Sequence, residues 1–463
     1  VNGRRVNGRR GSSALLVVFA IGCFEPKPPD VIVLTLDTTR ADHLGAYGYP
    51  HPITPALDAL AREGVVYERA WSTAPWTLPA HASMLTGKHP TSHGAHFDDD
   101  GGDSNLGEAW DDPSLSDIQA NRLPESEVTL AELLRDRGYA TGVFAGGPWL
   151  APPFGLVQGY DRQDTEVRAL GGRSAQELSD AALAWIAEIP ESQPVHLLVN
   201  FYDPHAPYDP DKARMLPVDR YASDEDVTAS PRRPNQILRE RANRSLLRKY
   251  DGEIREMDHH LGRLLDGLRA AGRYQDALIV VVGDHGELFG EHGLFAHLMW
   301  HYEGLLRVPL IVRFPGAREA GMRIDAPVSV VDLLPLIAGE LGLPLPDGVE
   351  GRPVGERDLV IAESFEDPRA IALLGSQYDR RLTTGIRWPW KLITSSAHPP
   401  RLYHLAEDPE EETDRAAEEA AIVASLEAAI ARSKAKMSAP AAVAPKAVDD
   451  TTIERLRELG YIE

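Results

Sequence analysis

Val31-Ile32-Val33-Leu34-Thr35-Leu36-Asp37-Thr38-Thr39-Arg40 opens on an apolar, β-branched run and ends on a carboxylate. An unbroken apolar run of this length is the pattern of a strand buried on both faces, as in a parallel sheet covered by helices. The acid that follows stands at the carboxyl end of the strand, where open α/β sheets assemble their sites. The same grammar recurs: residues 140–145, 196–201, 277–282 and 309–314 read as strands, and residues 54–64, 128–138 and 237–271 as helices. This alternation predicts an α/β fold, a mostly parallel sheet flanked by helices. The run at 277–282 leads into Gly283-Asp284-His285, which brings a second carboxylate and an imidazole to the edge that carries Asp37.

A third stretch supplies a hydroxyl. In Ala74-Pro75-Trp76-Thr77-Leu78-Pro79-Ala80-His81-Ala82-Ser83-Met84-Leu85-Thr86-Gly87, Thr77 stands just ahead of Pro79, which is preset for a first helical turn. Free N–H groups and the helix dipole there favour an anionic ester such as sulfate or phosphate. Alone, such a threonine reads as a helix cap, Asp37 as another cap and His285 as a loop histidine. Together Asp37, Thr77, Asp284 and His285 form a donor set for a divalent ion: Ca, Mg or Mn, with Zn as a further choice. An ion on the Thr77 oxygen would lower its pKa.

Composition narrows the partners. Lys plus Arg number 48 and Asp plus Glu 70, a net charge of -22 that argues against nucleic acid and requires an anionic substrate to be gripped locally. The length of 463 residues suits one large α/β unit and a smaller one. Arg4, Arg5, Arg9 and Arg10 precede an apolar run at 14–22, then Cys23 and a Pro-rich segment, the layout of an export signal too short to span a bilayer comfortably. Cys23, the only cysteine, resembles the lipidated residue of a bacterial lipoprotein signal. A plain cleaved signal and an uncleaved anchor are the alternatives. In each case the folded part lies outside the cytoplasm, periplasmic or on the outer surface, with membrane contact only through the signal or anchor. Residues 97–124, acidic and Gly/Ser-rich, read as an exposed loop. Near residue 353 a second region begins, with strands at 370–374, 381–386, 391–394 and 401–405 in a small antiparallel sheet, then helix over 410–437. The predicted division is residues 1–23 as signal, 24–352 as catalytic domain, 353–437 as small α+β subdomain, and 438–463 as linker and tail helix.

From about residue 31 to 412 the chain resembles the sulfatase family of the alkaline phosphatase superfamily. The resemblance is carried by Asp37, Arg40, Asp42 and Leu44-Gly45-Ala46-Tyr47-Gly48; by Thr77-Leu78-Pro79-Ala80-His81 followed by Leu85-Thr86-Gly87; and by Phe201-Tyr202-Asp203-Pro204-His205-Ala206-Pro207-Tyr208. Gly283-Asp284-His285-Gly286-Glu287, the stretch 302–309, and the segments 387–393 and 402–409 complete it. It implies an alkaline phosphatase-like sheet with a small C-terminal antiparallel subdomain, one divalent metal, calcium by family habit, and hydrolysis of sulfate esters on small molecules, glycans or lipids. Asp203, His205 and His297 are then candidates for substrate contacts, or for a second metal. Thr77, His81, His205 and His297 are the candidate catalytic residues. His259, His260, His292 and His301 are read as surface or supporting histidines.

The chain also departs from that pattern. The family's Cys or Ser is oxidised to formylglycine, which Thr77 cannot become, so formylglycine is not expected. Ala80 and His81 stand for Ser and Arg, and His81 carries charge only when protonated. The family's Gly-Lys-Trp-His segment has no match in Phe144-Ala145-Gly146-Gly147-Pro148-Trp149, and Thr38 stands where many members carry a second metal-binding Asp. Other branches of the superfamily, nucleotide pyrophosphatase-like phosphodiesterases and phosphoglycerol or phosphoethanolamine transferases, use an unmodified threonine. The leading reading is an exported, metal-dependent hydrolase of sulfate or phosphate esters with Thr77 as nucleophile. The alternatives are a phosphodiesterase or phosphotransferase working through phosphothreonine, and a catalytically dead sulfatase-like binding protein.

Overall fold

The computed structural model describes residues 27–97, 102–105, 119–166, 172–208, 234–297, 300–366 and 380–437. The signal expected at 1–23 with Cys23, the strand expected at 370–374, and the linker and tail helix expected at 438–463 lie outside these residues.

Eight strands form the main sheet. They are β1 (Val31–Leu36), β2 (Val65–Tyr67), β3 (Ala140–Ala145), β4 (Arg162–Asp164), β5 (Val195–Phe201), β6 (Leu278–Gly283), β7 (Leu310–Arg313) and β8 (Arg323–Ile324). Their order is β8-β2-β7-β6-β1-β5-β3-β4, with β1 at the centre between β5 and β6. Every pairing is parallel except those of β7, which runs antiparallel to both β2 and β6. Strict alternation sorts the strands' side chains between two cores. Val31, Val33, Val143, Leu198, Val280 and Val312 face one core. Ile32, Leu34, Leu36, Phe144, Leu197, Val199, Ile279, Val281 and Ile311 face the other. Helix α1 (Pro55–Glu63), helix α3 (Ala175–Glu188) and the long helix α4 (Pro234–Ala270) cover the second face, while α2 (Thr77–Thr86) contributes Leu78, Ala82 and Leu85 to the first. A capping box between Ser174 and Glu177 starts α3 by satisfying two orphan N–H groups.

A separate antiparallel sheet is built from β9 (Val360–Ser364), β10 (Leu382–Arg387), β11 (Trp390–Ser395) and β12 (Arg401–His404), with helix α5 (Ala420–Lys434) packed on it through Leu426 and Ile430. The fourth strand is therefore Val360–Ser364, and the helix expected over 410–437 is confined to Ala420–Lys434. The stretch 97–124 is not simply exposed: Phe97, Ala120 and Leu123 are buried in the first core, and Ser104–Asn105 pairs with Gln119–Ala120. Thr77 is the first residue of α2 rather than its cap, Trp76 takes the cap position, and Pro79 sits third in the helix, where its missing N–H still costs no hydrogen bond.

Candidate active site

Strand register places the two acids. Leu36 pairs with Gly283 across β1 and β6, so the next residues, Asp37 and Asp284, leave the sheet side by side. On the other flank Leu36 pairs with Phe201, which brings Tyr202, Asp203 and His205 to the same edge. The Asp37 N–H donates to the Phe201 carbonyl at 2.9 Å, fixing the turn. Thr38 then adopts φ 51°, the left-handed region that costs a β-branched residue on the order of 1 kcal/mol or more. Its N–H reaches Asp284 Oδ1 at 3.1 Å, and Tyr250 holds its carbonyl at 2.7 Å.

Asp37, Asp284 and His285 converge, with one potential ligand atom from each within 4.8 Å of the others, and all three are buried. Asp37 Oδ1 and Asp284 Oδ2 have no hydrogen-bond partner, although each residue's other oxygen is satisfied by Asn200 or by backbone N–H groups. Buried orphan carboxylate oxygens are costly unless a cation meets them. Burial, and for Asp37 the neighbouring Asp284 charge, holds both carboxyls well above the usual range. The donor set suits a hard or borderline divalent ion, and these observations fit one. The His285 Nδ1–H donates to the Gly286 carbonyl at 2.9 Å, which leaves the Nε2 lone pair facing the common centre. Burial and then His297 push His285 well below its ordinary pKa, so the ring stays neutral, the state a ligand needs.

Thr77 joins this centre. Its Oγ1 lies 3.3 Å from His285 Nε2. His81 lies one turn on, and it does something other than present a cation. Its Nδ1 donates to the Thr77 carbonyl at 3.0 Å, its Nε2 lies 3.1 Å from Thr35 Oγ1, and burial pushes its pKa down to about 4. His81 is therefore a neutral brace between α2 and β1, in contact with the back of the site through Asp284 at 3.5 Å.

Two further imidazoles, His297 and His205, and the phenol of Tyr202 form the opposite wall. The His297 ring centroid lies 4.7 Å from that of His285 and 5.0 Å from that of His205, and His205 stacks on Tyr202 at 4.4 Å. Glu287 grips His297 Nδ1 at 3.2 Å and accepts from Tyr208 at 3.1 Å. Burial opposes charge on His297, but Glu287 outweighs it and raises the pKa. His205 moves the other way, to about 4, through burial and His297. Asp203 is buried two residues beyond β5. In the stretch 144–149, Tyr202 explains the glycines: a Cβ on Gly146 or Gly147 would stand 2.6 or 2.7 Å from its side chain. Reading residues alone passed over Asn200, whose amide lies 3.2 Å from Thr35 Oγ1 and 3.4 Å from Asp37 Oδ2. The available signal was a lone amide in the apolar run of β5.

Fold and site together define a hydrolase-like centre at the edge of a mostly parallel sheet: a strand-end acid pair, a histidine and a helix-borne hydroxyl. A family model described as Sulfatase matches residues 29–343, and the chain belongs to the sulfatase family. Among curated proteins it is similar to an ulvan-active sulfatase from Formosa agariphila, 26% identical over 363 residues, which cover 72% of this chain and 65% of that protein. It is also similar to a multifunctional alkaline phosphatase superfamily protein from Trinickia caryophylli, 27% identical over 466 residues, 82% of this chain and 90% of that one. Among solved structures, a phosphonate monoester hydrolase of Agrobacterium radiobacter superposes with a TM-score of 0.66 at 22% identity, covering 89% of this chain and 96% of that one, a likeness of fold. Among the described residues no helix is long and apolar enough to cross a membrane.

Proposed function

We propose that the chain is an exported, metal-dependent ester hydrolase of the sulfatase fold, acting on sulfate or phosphate esters with Thr77 as the nucleophile. The observation that carries this reading is the convergence of the Thr77 hydroxyl, 3.3 Å from His285, on buried acids with unpartnered oxygens. Asp37, Asp284, His285 and the Thr77 oxygen would hold a divalent ion, calcium by family habit, that lowers the hydroxyl's pKa and offsets the ester's negative charge. The chain's own residues do the rest. Thr77 Oγ1, its proton released to solvent, forms a bond to the sulfur or phosphorus, and the bond from that atom to the ester's bridging oxygen breaks. His297, kept protonated by Glu287 on Nδ1, donates its Nε2 proton to the departing oxygen. His81 keeps the first turn of α2 in place by holding the Thr77 carbonyl.

Release of the second product separates sulfate from phosphate. A threonine ester has no geminal hydroxyl by which to collapse, so water must attack the sulfur or phosphorus and displace Thr77 Oγ1. Neutral His205, beside His297, then accepts that water's proton. A phosphothreonine is the adduct for which this second displacement is readily available, which favours phosphodiesterase or phosphotransferase chemistry as the second reading. Export through the signal at 1–23, with lipid attachment at Cys23, belongs to the same proposal. Metal-reconstituted protein assayed side by side on aryl sulfate, aryl phosphate monoester, diester and phosphonate monoester tests it. Turnover of at least one, lost in Thr77→Ala, is expected; no turnover of any, with no metal by elemental analysis, overturns the hydrolase reading.

A further inference from the structure

A large cavity lies away from Thr77. It measures about 690 Å³ and lies at the far end of α2, between the loops that follow that helix, the stretch 348–352, and helix α5. At 1.5 Å per residue, α2 separates it from Thr77 by about 15 Å. A cleft of this volume is within the ordinary range of small-molecule sites.

Its lining is charged in a distinctive way. In a chain of net charge -22, the walls carry six Lys and Arg side chains against four Asp and Glu. Three of the cations are already committed: Lys88 to Glu127, Arg387 to Asp358 and Arg357 to Asp332. Arg352, Arg432 and Lys436 have no side-chain partner among the described residues, and Glu356 is the one acid of the lining in the same condition. At the floor is His89, 3% exposed. Glu350 takes its backbone N–H at 2.7 Å and pairs with its Nδ1 at 2.8 Å, so Nε2 is left buried with no partner. Three free cations call for an anionic group, and a buried unpartnered ring nitrogen calls for a polar partner such as a hydroxyl, which can donate or accept. The hydroxyls of Ser126 and Ser433 border the same space. An inorganic anion fills little of the volume.

We propose that this cleft is a second binding site, separate from the Thr77 centre, for an anionic sugar: a saccharide carrying a sulfate or phosphate group. The anion lies among Arg352, Arg432 and Lys436, and a ring hydroxyl hydrogen-bonds with His89 Nε2. The site is also mechanically joined to the catalytic helix, because the Gly87 carbonyl that ends α2 accepts from Glu350 and Gly351 of the cavity wall at 2.8 and 3.0 Å.

Titration calorimetry in a Thr77→Ala background, with glucose 6-sulfate, glucose and inorganic sulfate as probes, tests the proposal. Glucose 6-sulfate is expected to bind at least tenfold more tightly than either other probe. Arg432→Glu on the exposed side of α5 with Lys436→Glu just beyond its end, both exposed, is expected to weaken that event at least tenfold, and the same pair placed in the Thr77 protein to leave ester hydrolysis unchanged. Binding of glucose 6-sulfate that is absent, or insensitive to the double charge reversal, overturns the site. Inorganic sulfate binding as tightly as the sugar sulfate overturns its carbohydrate character. His89→Gln, which retains a hydrogen-bonding side chain, should narrow the gap between the two probes, and an unchanged gap overturns the role of His89.

Discussion

Thr77 Oγ1 and His285 Nε2 stand 3.3 Å apart although 208 residues separate them in the chain. One rides the first turn of α2, the other the loop after β6, and the sheet edge is what brings them together. If Thr77 is the nucleophile, Thr77→Ala should lower kcat by at least about 10³-fold, since loss of an attacking group leaves only positioning and electrostatic help. Thr77→Ser keeps the hydroxyl and should retain most of the rate. Steady-state kinetics on whichever aryl ester turns over best decides it, and an alanine variant within tenfold of wild type would remove Thr77 from the chemistry.

Asp37 and Asp284 predict a metal-dependent stability. A ligand that binds only the folded chain stabilises it by about 2.7 kcal/mol at a hundred times its Kd, and calcium titration should raise the melting temperature accordingly. Asp37→Asn should abolish that response. In the metal-free protein the same change relieves a buried carboxylate of its neighbour's charge, so its melting temperature should exceed that of metal-free wild type. A melting curve indifferent to both calcium and chelator would argue that the acid pair holds no ion.

Glu287 and His297 form the pair on which leaving-group protonation rests. Glu287→Gln removes the charge that sustains the His297 proton and should slow esters of poorly acidic alcohols by about 10²-fold, the usual scale of general acid help. Esters with nitrophenol-like leaving groups need no proton and should be nearly unaffected. A uniform loss across leaving groups would mean that the pair is merely structural.

Much of this was readable before any coordinates. The strands β1, β3, β5 and β6 fall within one residue of the apolar runs that announced them, because a strand buried on both faces leaves no polar position to blur its ends. Asp37, Asp284 and His285 were legible for the same reason, each following such a run. What escaped was whatever depends on burial and long-range pairing. The neutral state of His81 comes from its complete burial, the alignment of His297 from Glu287 ten residues away, and β9 from pairing with β10. The short run Val360-Ile361-Ala362 resembles many others until that partner is known.

Lys391 predicts how the small sheet is fastened. Its ammonium is fully buried, 2.9 Å from Glu303 and 2.8 Å from Glu411, and Glu303 also accepts from the Trp71 indole at 3.0 Å. Lys391→Met would strand two carboxylates, and breaking one partner of a buried pair costs about 3–5 kcal/mol. A denaturant midpoint unchanged in the variant would contradict this. Adding Glu303→Gln and Glu411→Gln to it should restore part of the loss, since no uncompensated charge then remains.

His196 and His301 set the acid limit of stability. His196 lies buried between the Val31 carbonyl and the Tyr160 hydroxyl, at 3.2 and 3.0 Å, and burial lowers its pKa to about 4. His301 is enclosed by Thr384 and Ser364, and burial lowers it to about 3. Unfolded histidines titrate near 6.5, so below that pH the unfolded chain binds protons that the folded chain refuses. The stabilisation is complete above about pH 6.5 and disappears as pH falls through 4 towards 3. Each residue contributes on the order of 3–5 kcal/mol to that slope. Urea midpoints measured from pH 7 to pH 4 should therefore fall steadily, and His196→Gln, a neutral hydrogen-bonding replacement, should flatten the curve while lowering its plateau. Equal slopes in the variant and wild type would show that His196 takes up its proton without unfolding.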